Sequence, residues 1–235
     1  MQIYLISHTQ EPLKSIAAAQ MNIGIGTDIT TTAAITQSEA EDVVGDLLAS
    51  FLNSPLEFAS FNFFWQDVPI FMVRELVRHR IGWSYAERSL RFFDATKRDP
   101  LEAIDMDFFP SMKRLETRYQ DMIQASGTTL LKGLFHEQME SYQQLLDDGV
   151  DAQDARSVIG VWYPTAIQTA CSFRALRDML ALRLSSQAHP GWQEVARQIK
   201  ALVTEAEPFL GAALTDICDI QQRCVWQSRL ERPCD

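Results

Sequence analysis

Residues 78–91 read RHRIGWSYAERSLR, which sets Arg78, Arg80, Arg88, Arg91 and His79 within fourteen positions and threads Ser84, Glu87 and Ser89 among them. A guanidinium fork matches two phosphate oxygens. Serine hydroxyls add donors to such an anion, and the Glu87 carboxylate can accept from a sugar hydroxyl or a base N–H. The chain as a whole carries a formal net charge of −10 and a pI near 4.9. The positive charge is therefore local. That suits one small anionic ligand and argues against nucleic acid or a membrane surface as a partner, since those call for a basic domain. The competing reading is a solvated charged helix laced by its own ion pairs, a helical interaction module with an incidental basic patch.

Arg183 raises a second question, because it lies inside the apolar run MLALRL at 179–184, where an arginine without partners would be costly. Arg174 and Arg183 read either as ligand-facing cations or as a polar helix face. Cys171, Cys218, Cys224 and Cys234 form no CxxC pair and have no histidine at metal-ligand spacing, so reduced thiols and no metal site are expected. His8, His136 and His189 have no convergent partners in the sequence and read as surface or core residues.

The elements that must carry these residues follow from periodicity. MQIYLIS alternates as a strand, and EPLKSIAAAQMN reads as a helix with Pro12 in its first turn, closed by GIGTD. Residues 38–53 form an amphipathic helix with Ser38 as N-cap and Glu41 completing a capping box. LEFASFNFFW alternates as a strand, Phe61 and Phe63 facing one way and Ser60 and Asn62 the other. VPIFMVRELVRHR is expected to be helical, which would pair Arg74 with Arg78 and Glu75 with His79 on shared faces; beyond Gly82 the chain should loosen into a loop. FFDATKRDPLEAIDMDFFPS is loop-like, and residues 112–147 are helical with a break near Gly127. A helix ends near Gly149 and another begins after it. TAIQTACSFRALRDMLALRL and GWQEVARQIKALVTEAEP read as two further helices, and residues 202–235 hold no recognisable motif. Helices outnumber strands and the strands come early, so the expected class is α+β, helices packed on a small, mostly antiparallel sheet. With 235 residues and 46% hydrophobic composition, a single domain over 1–235 is expected. The N-terminus lacks a signal-peptide pattern and no apolar run approaches about 20 residues, so a cytoplasmic protein without a membrane span is expected.

The arginine stretch resembles the signature of the flavin-dependent thymidylate synthases: Arg-His-Arg, a spacer, Ser, and Arg two residues later. ERSLRF matches that family's Glu-x-Ser-x-Arg-Tyr, with Phe92 at the tyrosine. Further segments resemble the family in the same order. They are PLEFASFNF (Glu-His-x-x-Phe-Thr-Phe), YQQLLDDGVDAQDAR (Tyr-x-x-Leu-Leu-x-x-Gly, then Ala-Arg), SFRALRDMLALRL (Asn-Ala-Arg-Ser-Leu-x-Asn, then Leu-Arg) and GWQEV (Gln-Trp-Glu-Ile). Together they extend from about residue 55 to 196.

The resemblance implies a homotetramer with FAD and a uridine monophosphate bound between subunits. It implies reductive methylation at uracil C5, with methylenetetrahydrofolate supplying the carbon and NADPH the reducing power. By the same resemblance Ser60, Arg78, His79, Arg80, Ser172, Arg174 and Asp178 contact FAD. Glu75, Arg78, Glu87, Ser89, Arg91, Arg156 and Arg183 contact the nucleotide, and Arg183 and Ser89 are the catalytic residues, Arg183 polarising the ring. The chain departs from the pattern at several ligand positions. Phe58 stands for a histidine, Ser60 for a threonine, Glu75 for a glutamine and Asp178 for an amide. The spacer from Ile81 to Arg88 has eight residues where seven are usual, and the link SSQAHPGW is longer than usual. These changes suggest altered nucleotide choice between dUMP and UMP: a longer sugar-side loop has room for a 2′-hydroxyl, from which Glu87 could accept. They also leave open a homologue that binds FAD and nucleotide without methylating.

Overall fold

The computed structural model describes residues 1–50, 52–91, 95–97 and 130–216. The expected loop at 92–111, apart from a short helical turn at Ala95–Lys97, the expected break near Gly127 and residues 217–235 lie outside the described residues. So do Cys218, Cys224 and Cys234.

The first strand, β1 (Gln2–His8), leads into α1 (Pro12–Gln20), whose Pro12 occupies the first helical position, where its fixed φ is already helical. A π-helical turn over Met21–Ile25 extends the helix, and Gly26 ends it at φ 86°. Helix α2 spans Gln37–Ala49. Its capping box uses Thr36 and Glu39, two residues before the expected pair: Glu39 N–H donates to Thr36 Oγ1 at 3.2 Å and Thr36 N–H to Glu39 Oε2 at 2.8 Å. Both pairs fit the same sequence pattern, and the buried stripe Ala40, Val44 and Leu47 fixes the register. A 3₁₀ turn at Ser54–Phe58 precedes β2 (Ser60–Pro69), in which Phe61, Phe63 and Trp65 are buried on alternate positions as expected.

Helix α3 is shorter than expected, Ile70–Leu76 with Val77 as its C-cap, so Arg78, His79 and Arg80 lie outside it. Where a loop was expected, β3 runs from Trp83 to Glu87. Helix α4 (Leu130–Asp147) ends before Gly149 at φ 82°, and α5 (Ala152–Ala155) follows. The segment TAIQTACS, expected to be helical, is strand β4 (Pro164–Ser172); the helix begins only at α6 (Phe173–Arg183). Helices α7 (Pro190–Ala206) and α8 (Pro208–Ala212) complete the described chain. His189 caps α7, its Nδ1 accepting from Gly191 N–H at 3.1 Å.

The four strands form one sheet in the order β1-β2-β4-β3. Pairing sums stay constant as both chains advance, the mark of antiparallel ladders. Thr9 N–H donates to Ser60 O and Phe173 N–H to Ala59 O, while Ile70 N–H donates to Tyr163 O. Ser172 N–H donates to Gly82 O and Arg88 N–H to Ala166 O. The α+β expectation is met.

The described residues fall into two compact units: one of 1–2, 65–77 and 86–167, the other of 3–64, 78–85 and 168 onward. In the first, Tyr142, Ala155, Tyr163 and Ala95 form a buried cluster flanked by Ile70, Leu90 and Met139, and the Tyr163 hydroxyl donates to Ala95 O at 3.0 Å. In the second, Phe61 lies against Phe63, Phe173 and His8 at ring distances of 5.8–6.4 Å. Ile16, Leu176, Trp192, Val195 and Ile199 are fully or almost fully buried around them. This packing fixes the β4–α6 junction, on which the site depends.

Candidate functional site

Six of the seven residues that the resemblance implies at FAD line one cleft of the second unit. Its volume is about 470 Å³, and its walls include Arg78, His79, Arg80, Ser172, Arg174 and Asp178. That size lies within the usual range of ligand pockets. Two segments about ninety residues apart in sequence supply these side chains.

The first wall is the turn after α3. Gly82 sits at φ 71°, a conformation that favours glycine. A Cβ there would meet Ala175 Cβ and Ser172 Oγ at 2.8 Å each, so the close approach also demands it. The Gly82 carbonyl accepts from Ser172 N–H at 3.0 Å, and Trp83 Nε1–H donates to Ala175 O at 3.4 Å. Tyr85 returns toward the turn, its hydroxyl donating to the His79 carbonyl.

The second wall is the start of α6. Ser172 is its N-cap, Oγ accepting from Ala175 N–H at 3.2 Å. Arg174 and Asp178 stand four residues apart and share one helix face. Glu57, from the 3₁₀ turn before β2, also lines the cleft and accepts from Arg174 Nη1 at 2.7 Å. Desolvation pushes the Asp178 carboxyl above its ordinary pKa, and Arg174 and Arg177 partly offset it. Burial lowers the Arg177 guanidinium, and Asp178 opposes that. Arg177 Nη1 donates to Asn53 Oδ1 at 3.4 Å.

Three arginines, two acidic residues, His79 and Trp83 thus line one cleft. Such a donor set fits an anionic ligand with a planar ring system, and its groups match FAD: phosphates for the arginines, a ring for the aromatic wall. Glu57, Ile81, Gly82, Trp83 and Ala175 are cleft residues not expected from the sequence. Gly82 had a signal as a turn glycine. Glu57 had one only through the resemblance, as the glutamate of Glu-His-x-x-Phe-Thr-Phe; its tie to Arg174, 117 residues on, shows only in the fold.

The other expected residues are placed elsewhere. Ser60 opens β2, exposed, with its hydroxyl 3.1 Å from that of Thr9, and is not among the cleft residues. Arg183 ends α6, half-buried, with its guanidinium 4.4 Å from the centre of the Trp192 indole. This cation–π contact answers the question raised by an arginine in an apolar run. Glu75, Glu87, Ser89, Arg91 and Arg156 belong to the first unit. Ser89 Oγ accepts from Arg91 N–H at 3.3 Å, and Arg156 Nε–H donates to Gln153 O at 3.0 Å. The carboxyl of Glu87 has its pKa raised by desolvation, with the nearby positive charge of Arg74 partly offsetting this. Cys171 is buried at 3.8 Å from Phe61 O, and burial pushes its thiol up. Among the described residues no group of three or more His, Cys, Asp or Glu could hold a metal ion, and no helix is long and apolar enough to cross a membrane.

Comparison with known proteins agrees with this architecture. The flavin-dependent thymidylate synthase of Streptomyces avermitilis is 30% identical over 153 residues, 61% of this chain. The chain spans 59% of the length of that relative and of its Streptomyces coelicolor counterpart. Two solved structures share the fold. The UMP/dUMP methylase PolB from Streptomyces cacaoi, bound with 5-Br dUMP, is 24% identical with a TM-score of 0.64, over 90% of this chain and 93% of that one. The flavin-dependent thymidylate synthase ThyX from Helicobacter pylori, complexed with FAD and dUMP, is 18% identical with a TM-score of 0.67, over 92% and 100%. The family described as thymidylate synthase complementing protein, Thy1, matches residues 4–209. That stretch takes in both cleft walls, most of β1 and the whole of β2, β3 and β4, and on it the chain belongs to the Thy1 family.

Proposed function

We propose that this chain is a flavin-dependent methylase that binds FAD in the cleft of Arg78, Arg80 and Arg174 and methylates C5 of a uridine monophosphate. The observation that carries the reading is the convergence of six residues, expected from a resemblance in sequence alone, on one cleft of fitting size and charge. The family match over both cleft walls supports it, as do relatives named flavin-dependent thymidylate synthase.

Each protein group has a physical task. Arg78, Arg80 and Arg174 offer charge-assisted hydrogen bonds to phosphate or ring oxygens, each worth about 1.5–3 kcal/mol. Trp83 and His79, their rings tilted 48° to one another, offer the ring system aromatic contact at the edge of the cleft. Bound FAD supplies the hydride chemistry that no side chain can. Methylenetetrahydrofolate is the proposed one-carbon donor and NADPH the proposed reductant. Arg156 and Arg91 hold the nucleotide phosphate, with Ser89 a further donor and Glu75 and Arg78 at the nucleotide's remaining polar groups. Arg183 stabilises negative charge on the uracil as it develops.

The eight-residue spacer from Ile81 to Arg88 and the Glu87 carboxylate favour a ribonucleotide, Glu87 accepting from the 2′-hydroxyl. The proposal extends to one functional domain over 1–235, a homotetramer in the cytoplasm, and no nucleic-acid partner. Tritium release from C5 of labelled UMP and dUMP, with FAD, NADPH and methylenetetrahydrofolate present, tests the reading. Release from UMP at least as fast as from dUMP is expected. An exclusive preference for dUMP contradicts the sugar assignment, and release from neither contradicts the activity. Native mass spectrometry tests the tetramer.

A further inference from the structure

The turn that carries Arg78, His79 and Arg80 has no regular secondary structure of its own: α3 ends at Leu76 and β3 begins at Trp83. An irregular turn holding two exposed arginines loses order easily unless something pins it. Gly82 pins one end by accepting from Ser172 N–H. At the other end, the Tyr85 hydroxyl donates to the His79 carbonyl, the middle residue of the Arg-His-Arg run. The ring of Tyr85 is held in turn, since it stacks on Trp83 at 5.9 Å and 3° between planes. Trp83 is nearly buried, lies 6.5 Å from the His79 ring, and donates to Ala175 O on the opposite wall of the cleft.

We infer that Tyr85 is a positioning residue for the cleft: its phenol fixes the His79 carbonyl and thereby presents Arg78 and Arg80 to the ligand. The inference rests on the reading of the cleft as an FAD site. Nothing in the Arg-His-Arg pattern demands a tyrosine here, and the residue lies within the lengthened spacer that distinguishes this chain. A longer spacer means a longer loop to order, and the bond from Tyr85 back to His79 closes the seven residues 79–85 into a ring. Burial, with Cys171 adding to it, raises the phenol well above its ordinary pKa, so the hydroxyl remains a donor throughout the working pH range.

The test is FAD titration of the full chain and of Tyr85→Phe, followed by the shift in the flavin visible spectrum. Tyr163→Phe serves as control, because it removes a tyrosine bond to a backbone carbonyl at Ala95 that lies in the other unit. Loss of one neutral hydrogen bond predicts FAD binding roughly 3- to 10-fold weaker for Tyr85→Phe and unchanged for Tyr163→Phe. Hydrogen exchange in the FAD-free proteins should show faster exchange confined to residues 78–83 in Tyr85→Phe. FAD affinity within twofold of the parent overturns the inference. So does wholesale loss of the far-ultraviolet circular dichroism, which would make the phenol a general stabiliser. If the parent protein binds no FAD, the cleft assignment fails instead, and the exchange of residues 78–83 still decides whether Tyr85 orders the turn.

Discussion

Arg174 Nη1 donates to Glu57 Oε1 at 2.7 Å within the cleft that both residues line. One of the three cleft guanidiniums is therefore already matched by a carboxylate before any ligand arrives. Both side chains are more than two-fifths exposed, so the pair contributes little to stability, about 0–1 kcal/mol. Glu57→Gln is expected to leave the melting temperature nearly unchanged. Removing a negative charge from the cleft should tighten FAD binding at low ionic strength, with the gain shrinking as salt rises. Titrations at two salt concentrations check this; weaker binding would mean that Glu57 acts by holding Arg174 in place.

Gly82 is expected to be intolerant of any side chain. Its left-handed backbone alone makes alanine cost about 1–3 kcal/mol, and the new methyl would press on Ser172 Oγ and Ala175 Cβ. Gly82→Ala should lower the denaturation midpoint and abolish tight FAD binding. A variant as stable as the parent, with normal FAD affinity, would show that the two walls do not meet as described.

If FAD binds in this cleft, Asp178 should make its affinity depend on pH. Its carboxyl titrates above the ordinary carboxylate value because it is desolvated, despite the offset from Arg174 and Arg177. Below that raised pKa the group is neutral; above it, a negative charge faces an anionic ligand. FAD affinity should fall as pH rises through the raised value, and Asp178→Asn should flatten the profile. The stability sign agrees. The folded protein holds this proton more tightly than the unfolded chain, so the contribution is present below the unfolded pKa and lost as pH rises through the folded one. Asp178→Asn should therefore be at least as stable as the parent at neutral pH.

Which parts of this were readable from residues alone follows physical lines. The strand at Gln2–His8, the helices at Pro12 and Pro190 and the alternation through Phe61 and Phe63 declare themselves through local pattern. Pro164–Ser172 does not. Its positions are buried or half-buried throughout, so the polar–apolar alternation that marks a half-exposed strand is missing, and the helix that follows without a break absorbs it. The same switch hides the importance of Ser172, which is at once the last strand residue and the helix cap. The assignment of the cleft residues to a flavin was legible only through resemblance to a family. Periodicity placed Arg78 and Arg80 on a helix, whereas the cleft needs them on a turn. The pairing of Glu57 with Arg174 became visible only when the fold brought the two together.

Arg183 separates binding from chemistry. Its guanidinium over Trp192 contributes about 0.5–2 kcal/mol of local attraction. If it polarises the uracil, Arg183→Gln should lower kcat roughly 100-fold or more, as loss of one preorganised charge-stabilising donor does, with a much smaller change in FAD affinity. Trp192→Phe keeps an aromatic face and should cost only a few-fold. Steady-state kinetics of both variants check this; equal losses would assign Arg183 to packing.

Glu87 bears on the sugar. If its carboxylate accepts from a 2′-hydroxyl, Glu87→Ala should raise the KM for UMP by roughly 10-fold, the loss of a hydrogen bond to a charged group, and leave that for dUMP nearly unchanged. Equal effects on both nucleotides would remove the basis for a ribonucleotide preference.

The most direct measurement is the flavin difference spectrum of the purified chain titrated with FAD, set beside the same titration of Arg78→Ala and Arg174→Ala. Saturable binding by the parent, weakened at least about 10-fold in each variant, is the predicted result. No binding by the parent, or equal affinity in all three proteins, would contradict the assignment of this cleft.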